Sequence, residues 1–164
     1  IAHAIDAGVA YFSVADDAGH LIERAPLVRS ALARRGLDVR VLGPDDAGGS
    51  ATAAKPTLLL VSKRSARDEI AAVARELCAE SRAGRLAPDA IDERAVDRAL
   101  AARRPRPEVA LVLQFCDEAL LGGIWPWHSR VAHHVHLGPL ARATRAAVER
   151  ALCDYGSVVQ RHGA

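Results

Sequence analysis

The chain has 164 residues, half of them apolar, and a formal net charge of +2 spread over interspersed acids and bases. That length suits one domain with a real core, and the charge balance gives no case for nucleic-acid binding. No apolar run reaches the roughly 18 residues a membrane-spanning helix needs, and the three scattered cysteines, Cys78, Cys116 and Cys153, fit reduced, buried thiols and not a disulfide framework.

Much of the apolar content is alanine, which favours helix but adds little burial per residue, so stability is expected to rest on a few Val/Leu-rich strands. Ile1 to Ala7 reads as the end of a helix stopped by Gly8, and the absence of Met, even at position 1, reads as a missing N-terminal strand. Val9 to Val14 is rich in β-branched and aromatic residues and predicts a buried strand. Asp16-Asp17-Ala18-Gly19 predicts a turn, and Pro26 a helix running to Arg35, with Gly36 just past its end. Residues 43–56 are poor in large apolar side chains and rich in breakers, which predicts a mobile loop inside a single domain spanning 1–164.

Thr57 to Val61 predicts a short apolar strand. Ser65 is expected to start a helix, with Asp68 three residues on as a capping-box analogue. Ile70, Val73, Leu77 and Cys78 recur on its face, and Gly84 ends it. A further helix is expected from Glu93 to Arg103, with Val96 and Leu100 on one face. Val109 to Phe115 is the strongest predicted strand, buried on both faces. Val131 to Leu137 predicts another strand, and Pro139 is expected to open a last long helix through Tyr155. Strands alternating with helices argue for an α/β fold with a mainly parallel central sheet flanked by helices.

The candidate chemistry divides into weak and stronger signals. His133, His134 and His136 offer a His-x-His pair on one strand face, but no acidic or Cys partner sits at a metal-site spacing, so a structural role outranks zinc. Gly122-Gly123 lacks the Lys-Ser/Thr of a phosphate loop and reads as a turn. Asp16-Asp17 could bind magnesium, yet a strand-to-helix turn is the commoner use of such a pair. Core packing is the ordinary reading of Trp125 and Trp127, and Arg142, Arg145 and Arg150 with Glu149 read as the solvated face of a helix. Arg161 and Gly163, two apart, can hold a phosphate, through a planar charged fork and a backbone N–H that no Cβ obstructs, although alone such a terminal pair is a weak signal and a frayed tail is the default reading.

The order Pro107-Glu-Val-Ala-Leu-Val-Leu-Gln114-Phe115, then Gly122-Gly-Ile-Trp-Pro-Trp127-His128-Ser-Arg130-Val, then a helical run ending at Gln160-Arg161-His162-Gly163, resembles the C-terminal half of the Nogo-B receptor family. These are the accessory subunits of eukaryotic cis-prenyltransferase, the dehydrodolichyl diphosphate synthase complex. Gly8-Val-Ala-Tyr11-Phe12-Ser13-Val14-Ala-Asp16 resembles the family's second strand. The resemblance is poor between about Asp38 and Lys55.

It implies an undecaprenyl diphosphate synthase-like fold and a non-catalytic subunit of a heteromeric enzyme making long-chain polyprenyl diphosphate for dolichol synthesis and protein glycosylation. Arg161 and Gly163 would help bind isopentenyl diphosphate in the site of a catalytic partner, which would hold most of the magnesium. Trp127, His128 and Arg130 match the family's Trp-His-x-Arg segment and are expected near the sheet edge and dimer interface, and the resemblance implies a subunit-interface role for Trp125 as well. The resemblance further implies an endoplasmic-reticulum membrane location, with the domain facing the cytosol.

The same alignment shows departures from the catalytic enzymes. Where they carry two arginines and a serine for the diphosphate, this chain has Gln114, Leu120 and Gly122. Glu118 is the one acidic match, and Ala15-Asp16-Asp17-Ala18 replaces a Ser-x-x-Asn-Trp stretch. The alternatives that stay open are a single-subunit homodimeric polyprenyl diphosphate synthase and a lipid- or protein-binding module on the same fold.

Overall fold

The computed structural model describes residues 1–44, 46, 55–103, 106–119 and 125–158. Among them the chain runs α1 (Ala2–Asp6), β1 (Tyr11–Asp16), α2 (His20–Glu23), α3 (Ala25–Arg34), β2 (Arg40–Leu42), β3 (Thr57–Ser62), α4 (Lys63–Arg82), α5 (Glu93–Arg103), β4 (Leu111–Gln114), β5 (His133–His136) and α6 (Arg145–Ser157), with single 3₁₀ turns at Pro88–Ala90 and Leu140–Arg142. Every described strand pair is parallel, in a three-stranded sheet ordered β1-β3-β2 and a two-stranded sheet β4-β5. The expected α/β fold with parallel strands and flanking helices is therefore present.

Strand β3 is the organising element. Tyr11 faces Thr57 and Asp16 faces Ser62 on one side, while Arg40 faces Thr57 and Leu42 faces Leu59 on the other. All six β3 residues are buried. Because side chains alternate across a strand, Leu59 and Val61 pack with Leu42, Ala66, Trp125 and Tyr11, whereas Leu58 and Leu60 pack with Leu32, Val41, Phe12 and Val14. This corrects the expected ranking of strands: β4, read as the strongest and doubly buried, is only half-buried along its length. The two-sided cover belongs to β3, whose Leu-Leu-Leu-Val run is shorter in sequence but paired on both edges.

Several helix ends also differ from expectation. Helix α4 begins at Lys63, not Ser65, because Ser62 is the N-cap. The Ser65 N–H donates to Ser62 Oγ at 3.1 Å and Ser65 Oγ accepts the Ser62 N–H at 3.0 Å, so Ser65 is the third residue of a capping box. Asp68 instead pairs with Arg64 at the surface. Gly84 stops the helix as expected, in the left-handed region at φ 70°.

Pro139 does not open α6. Its extended backbone leads into the 3₁₀ turn, and Thr144 caps the helix by accepting the Ala147 N–H at 3.2 Å. Arg142 is consequently off the helix that carries Arg145, Glu149 and Arg150, and the exposed Arg145–Glu149 pair is the solvated face expected. Cys78 and Cys153 are exposed, which overturns the buried-thiol reading; on α4 the buried stripe is Ala66 and Val73, and Cys78 falls outside it.

Strand β2 and helix α2 were not anticipated. Both are short, and α2 depends on Gly19, whose φ of 82° and close approach to Ser62, where a Cβ would lie 3.4 Å from the Ser62 Cβ, suit glycine. Of the predicted loop, Gly43, Pro44, Asp46, Lys55 and Pro56 are described. Lys55 Nζ pairs with Asp38 at 2.6 Å, and the Arg40 N–H donates to the Pro56 carbonyl at 2.9 Å. Residues 45 and 47–54 lie outside the described residues.

Leu59→Ala is expected to lower the free energy of unfolding by about 2–5 kcal/mol, the range for truncating a fully buried Leu. Leu111→Ala in half-buried β4 should cost clearly less. Urea unfolding of both variants checks this; equal losses would contradict the placement of the core on β3.

Candidate functional site

In open α/β sheets ligands bind beyond the carboxyl ends of the strands, so those ends decide what the chain can do. Strand β1 ends at Asp16. Its Oδ1 accepts the N–H groups of Gly19 and, at 3.1 Å, His20, and its Oδ2 accepts that of Leu21 at 2.8 Å. Partial burial alone would raise its pKa, but the three N–H donors outweigh that and hold it below the ordinary carboxylate value. Both oxygens are committed to the turn, as the turn reading of Asp16-Asp17 anticipated.

Strand β4 ends at Gln114, whose amide nitrogen lies 3.4 Å from His134 Nδ1 on the neighbouring strand, while His134 Nε2 donates to the Ser129 carbonyl at 3.0 Å. His136 Nε2 donates to the Cys116 carbonyl at 2.8 Å, and the Cys116 thiol donates to the Glu118 carbonyl at 2.9 Å. His133 faces Tyr155 of α6, with ring centroids 6.4 Å apart. Each of the three histidines thus has a contact within the chain. Among the described residues no group of three His, Cys, Asp or Glu side chains converges as a metal site.

One buried polar cluster is not announced by the sequence. Arg106 forms an ion pair with Glu69 of α4, with side chains 5% and 12% exposed. Its guanidinium also lies over the Trp125 ring at 4.1 Å from the centroid. A small recess lies here, lined by Pro44, Val61, Ser65, Glu69, Arg106 and Trp125. Trp125 is buried, as expected of a core residue, but its φ of 57° is unusual for a bulky side chain. Ser129 fixes that backbone, donating both its N–H, at 3.0 Å, and its hydroxyl, at 2.8 Å, to the Trp125 carbonyl. The only sequence signal for Arg106 is its place between Pro105 and Pro107, which fixes a chain direction but names no partner.

Trp127, His128 and Arg130 sit on the turn that follows. The Trp127 indole N–H donates to Asp97 Oδ1 of α5 at 2.7 Å. Arg130 stacks on the Trp127 ring at 4.6 Å, donates to the Trp127 carbonyl at 2.8 Å, and pairs with Glu93 and Asp97. The Glu93 hydrogen bond is the main cause of its raised pKa. His128 packs edge-on against Trp125 at 4.5 Å. Burial, then the nearby Arg106 and Arg130 charges, push its pKa down to about 4 against the weaker pull of Asp97. The three expected interface residues are thus brought together, and the contacts they make here are within the chain. The other expected site residues, Arg161 and Gly163, lie outside the described residues, as do Leu120, Gly122 and Gly123.

No protein-family model matches the chain, and no curated protein matches its sequence. Its structure is similar to that of lavandulyl diphosphate synthase from Lavandula x intermedia, solved in complex with dimethylallyl diphosphate, with a TM-score of 0.71 at 16% identity over 97% of this chain and 81% of that one. The chain has an α/β fold of the undecaprenyl diphosphate synthase-like type.

Glu69→Ala should destabilise the fold by about 1.5–3 kcal/mol, the loss of a charge-assisted hydrogen bond to a nearly buried guanidinium. Glu80→Ala removes the exposed partner of Arg85 and should leave the unfolding midpoint close to wild type. Equal midpoints for the two variants in urea would contradict the weight given to the Arg106–Glu69 pair.

Proposed function

We propose that this chain is a non-catalytic accessory subunit of a heteromeric cis-prenyltransferase, making long-chain polyprenyl diphosphate with a catalytic partner. The observation that carries the reading is Gln114 at the carboxyl end of β4, hydrogen-bonded toward His134, where the resemblance places a diphosphate-binding arginine in the enzymes. An amide carries no charge and cannot replace a guanidinium fork on a diphosphate. Asp16 adds support, since its carboxylate is bound to three backbone N–H groups.

In this reading the tail residues Arg161 and Gly163 complete the partner's site for isopentenyl diphosphate. The guanidinium binds a phosphate oxygen, and the glycine lets the backbone approach. Magnesium belongs with the diphosphate on the partner's residues. The endoplasmic-reticulum setting, and a dimer interface that includes Trp127, His128 and Arg130, are parts of the same proposal. The fold shared with a lavandulyl diphosphate synthase also suits the second reading, a single-subunit synthase, and the test separates the two.

The purified chain alone should give no radiolabel incorporation from isopentenyl diphosphate into long-chain product. With a catalytic subunit, Arg161→Ala should lower kcat or raise the KM for isopentenyl diphosphate roughly ten- to a hundredfold, the loss of a charge-assisted bond worth about 1.5–3 kcal/mol. Co-purification should be unchanged. Robust turnover by the chain alone would replace this reading with the single-subunit synthase, and wild-type constants for Arg161→Ala would remove the tail from the site.

A further inference from the structure

The turn from Trp125 to Arg130 is held by an unusual set of groups. Its aromatic residues meet charge on all sides: Arg106 over Trp125, Arg130 over Trp127, and Asp97 on the Trp127 indole N–H. His128 packs edge-on to the Trp125 ring that also carries Arg106. The charged groups around it are Arg106, from the segment before β4; Arg130, on the same turn; Asp97 and Glu93, from α5; and Glu69, from α4, which pairs with Arg106. From β5, His134 reaches the same turn through the Ser129 carbonyl.

We propose that His128 is an acid-sensitive pin for this turn: neutral, it packs edge-on against Trp125 and holds the turn against α4 and α5; protonated, it releases the turn while the β1-β3-β2 core stays folded. The geometry supplies the reason. Arg106 and His128 touch the same indole, so a charge on His128 would face Arg106 at a range that salt screens poorly. The acids near it are already engaged, Glu69 by Arg106 and both Glu93 and Asp97 by Arg130.

The sign follows from the depressed pKa. The unfolded or released segment binds a proton near the ordinary 6.5, and the packed one only near 4. The pinned state is therefore favoured fully above about 6.5 and loses its advantage as pH falls toward 4. Backbone strain at Trp125, with its φ of 57°, adds to the tendency to let go once the packing weakens. The buried Trp125 indole N–H has no hydrogen-bond partner among the described residues, so no such tie to them opposes release.

The chain has two tryptophans, Trp125 and Trp127, and both are in this turn, so intrinsic fluorescence reads the turn and little else. Emission and far-UV circular dichroism would be followed together on the same sample from pH 7.5 to 4. Wild type should show a reversible red shift of the emission maximum below about pH 6, with the helical signal retained. His128→Gln should show no shift across that window, and His134→Gln should keep it. Should His128→Gln fold poorly, NMR titration of the wild-type imidazoles replaces it, with His128 expected to titrate within the emission change. The proposal is overturned by a flat wild-type emission, by emission and helical signal lost together, by a shift that survives His128→Gln or vanishes with His134→Gln, or by a His128 titration outside the emission change.

Discussion

One strand must be satisfied on both edges and both faces at once, and most of the fold follows from that. The backbone of β3 pairs in parallel with β1 and β2, and its six residues are all buried. Parallel pairing requires crossovers, which places α2 and α3 between β1 and β2 in sequence. The Leu58–Leu60 face takes Leu32 of α3, and the Leu59–Val61 face takes Ala66 of α4 and Trp125. The same strand ends in Ser62, which caps α4, so the core and the longest helix are set by consecutive residues.

Trp125 connects that core to the polar cluster. It is part of the apolar packing under β3, yet its ring carries Arg106 on its face and His128 at its edge. Through Arg106 it is tied to Glu69 of α4, and through the following turn to Asp97 and Glu93 of α5. The segment whose Trp-His-x-Arg pattern resembles a family interface is thus first of all a clamp between elements of its own chain. That does not compete with a role against a partner, because the clamp fixes which groups the turn can present.

The sequence made long-range order legible where a strong local signal met a simple tertiary environment. Gly36 and Gly84, both at positive φ, marked the ends of α3 and α4, and Val131 to Leu137 contained β5. Strand strength was misjudged because apolar density in Val109 to Phe115 exceeds what its single described pairing buries, whereas the burial of β3 comes from neighbours that a sequence window cannot see. Helix α6 begins late because Thr144, and not Pro139, supplies the acceptor for a first-turn N–H. At the site, Gln114 drew attention only through the family resemblance. Arg106 was not legible, because a buried ion pair is a fact about two distant segments, 37 residues apart, and neither residue carries a local pattern.

The proposal at stake is that a chain with this prenyltransferase-like fold does not hold a diphosphate on its own. Isothermal titration of isopentenyl diphosphate with magnesium into the isolated chain, and then into its complex with a catalytic subunit, tests it most directly. The account predicts no measurable heat of binding for the chain alone and saturable binding for the complex. Tight, saturable binding of isopentenyl diphosphate by the chain alone would contradict it.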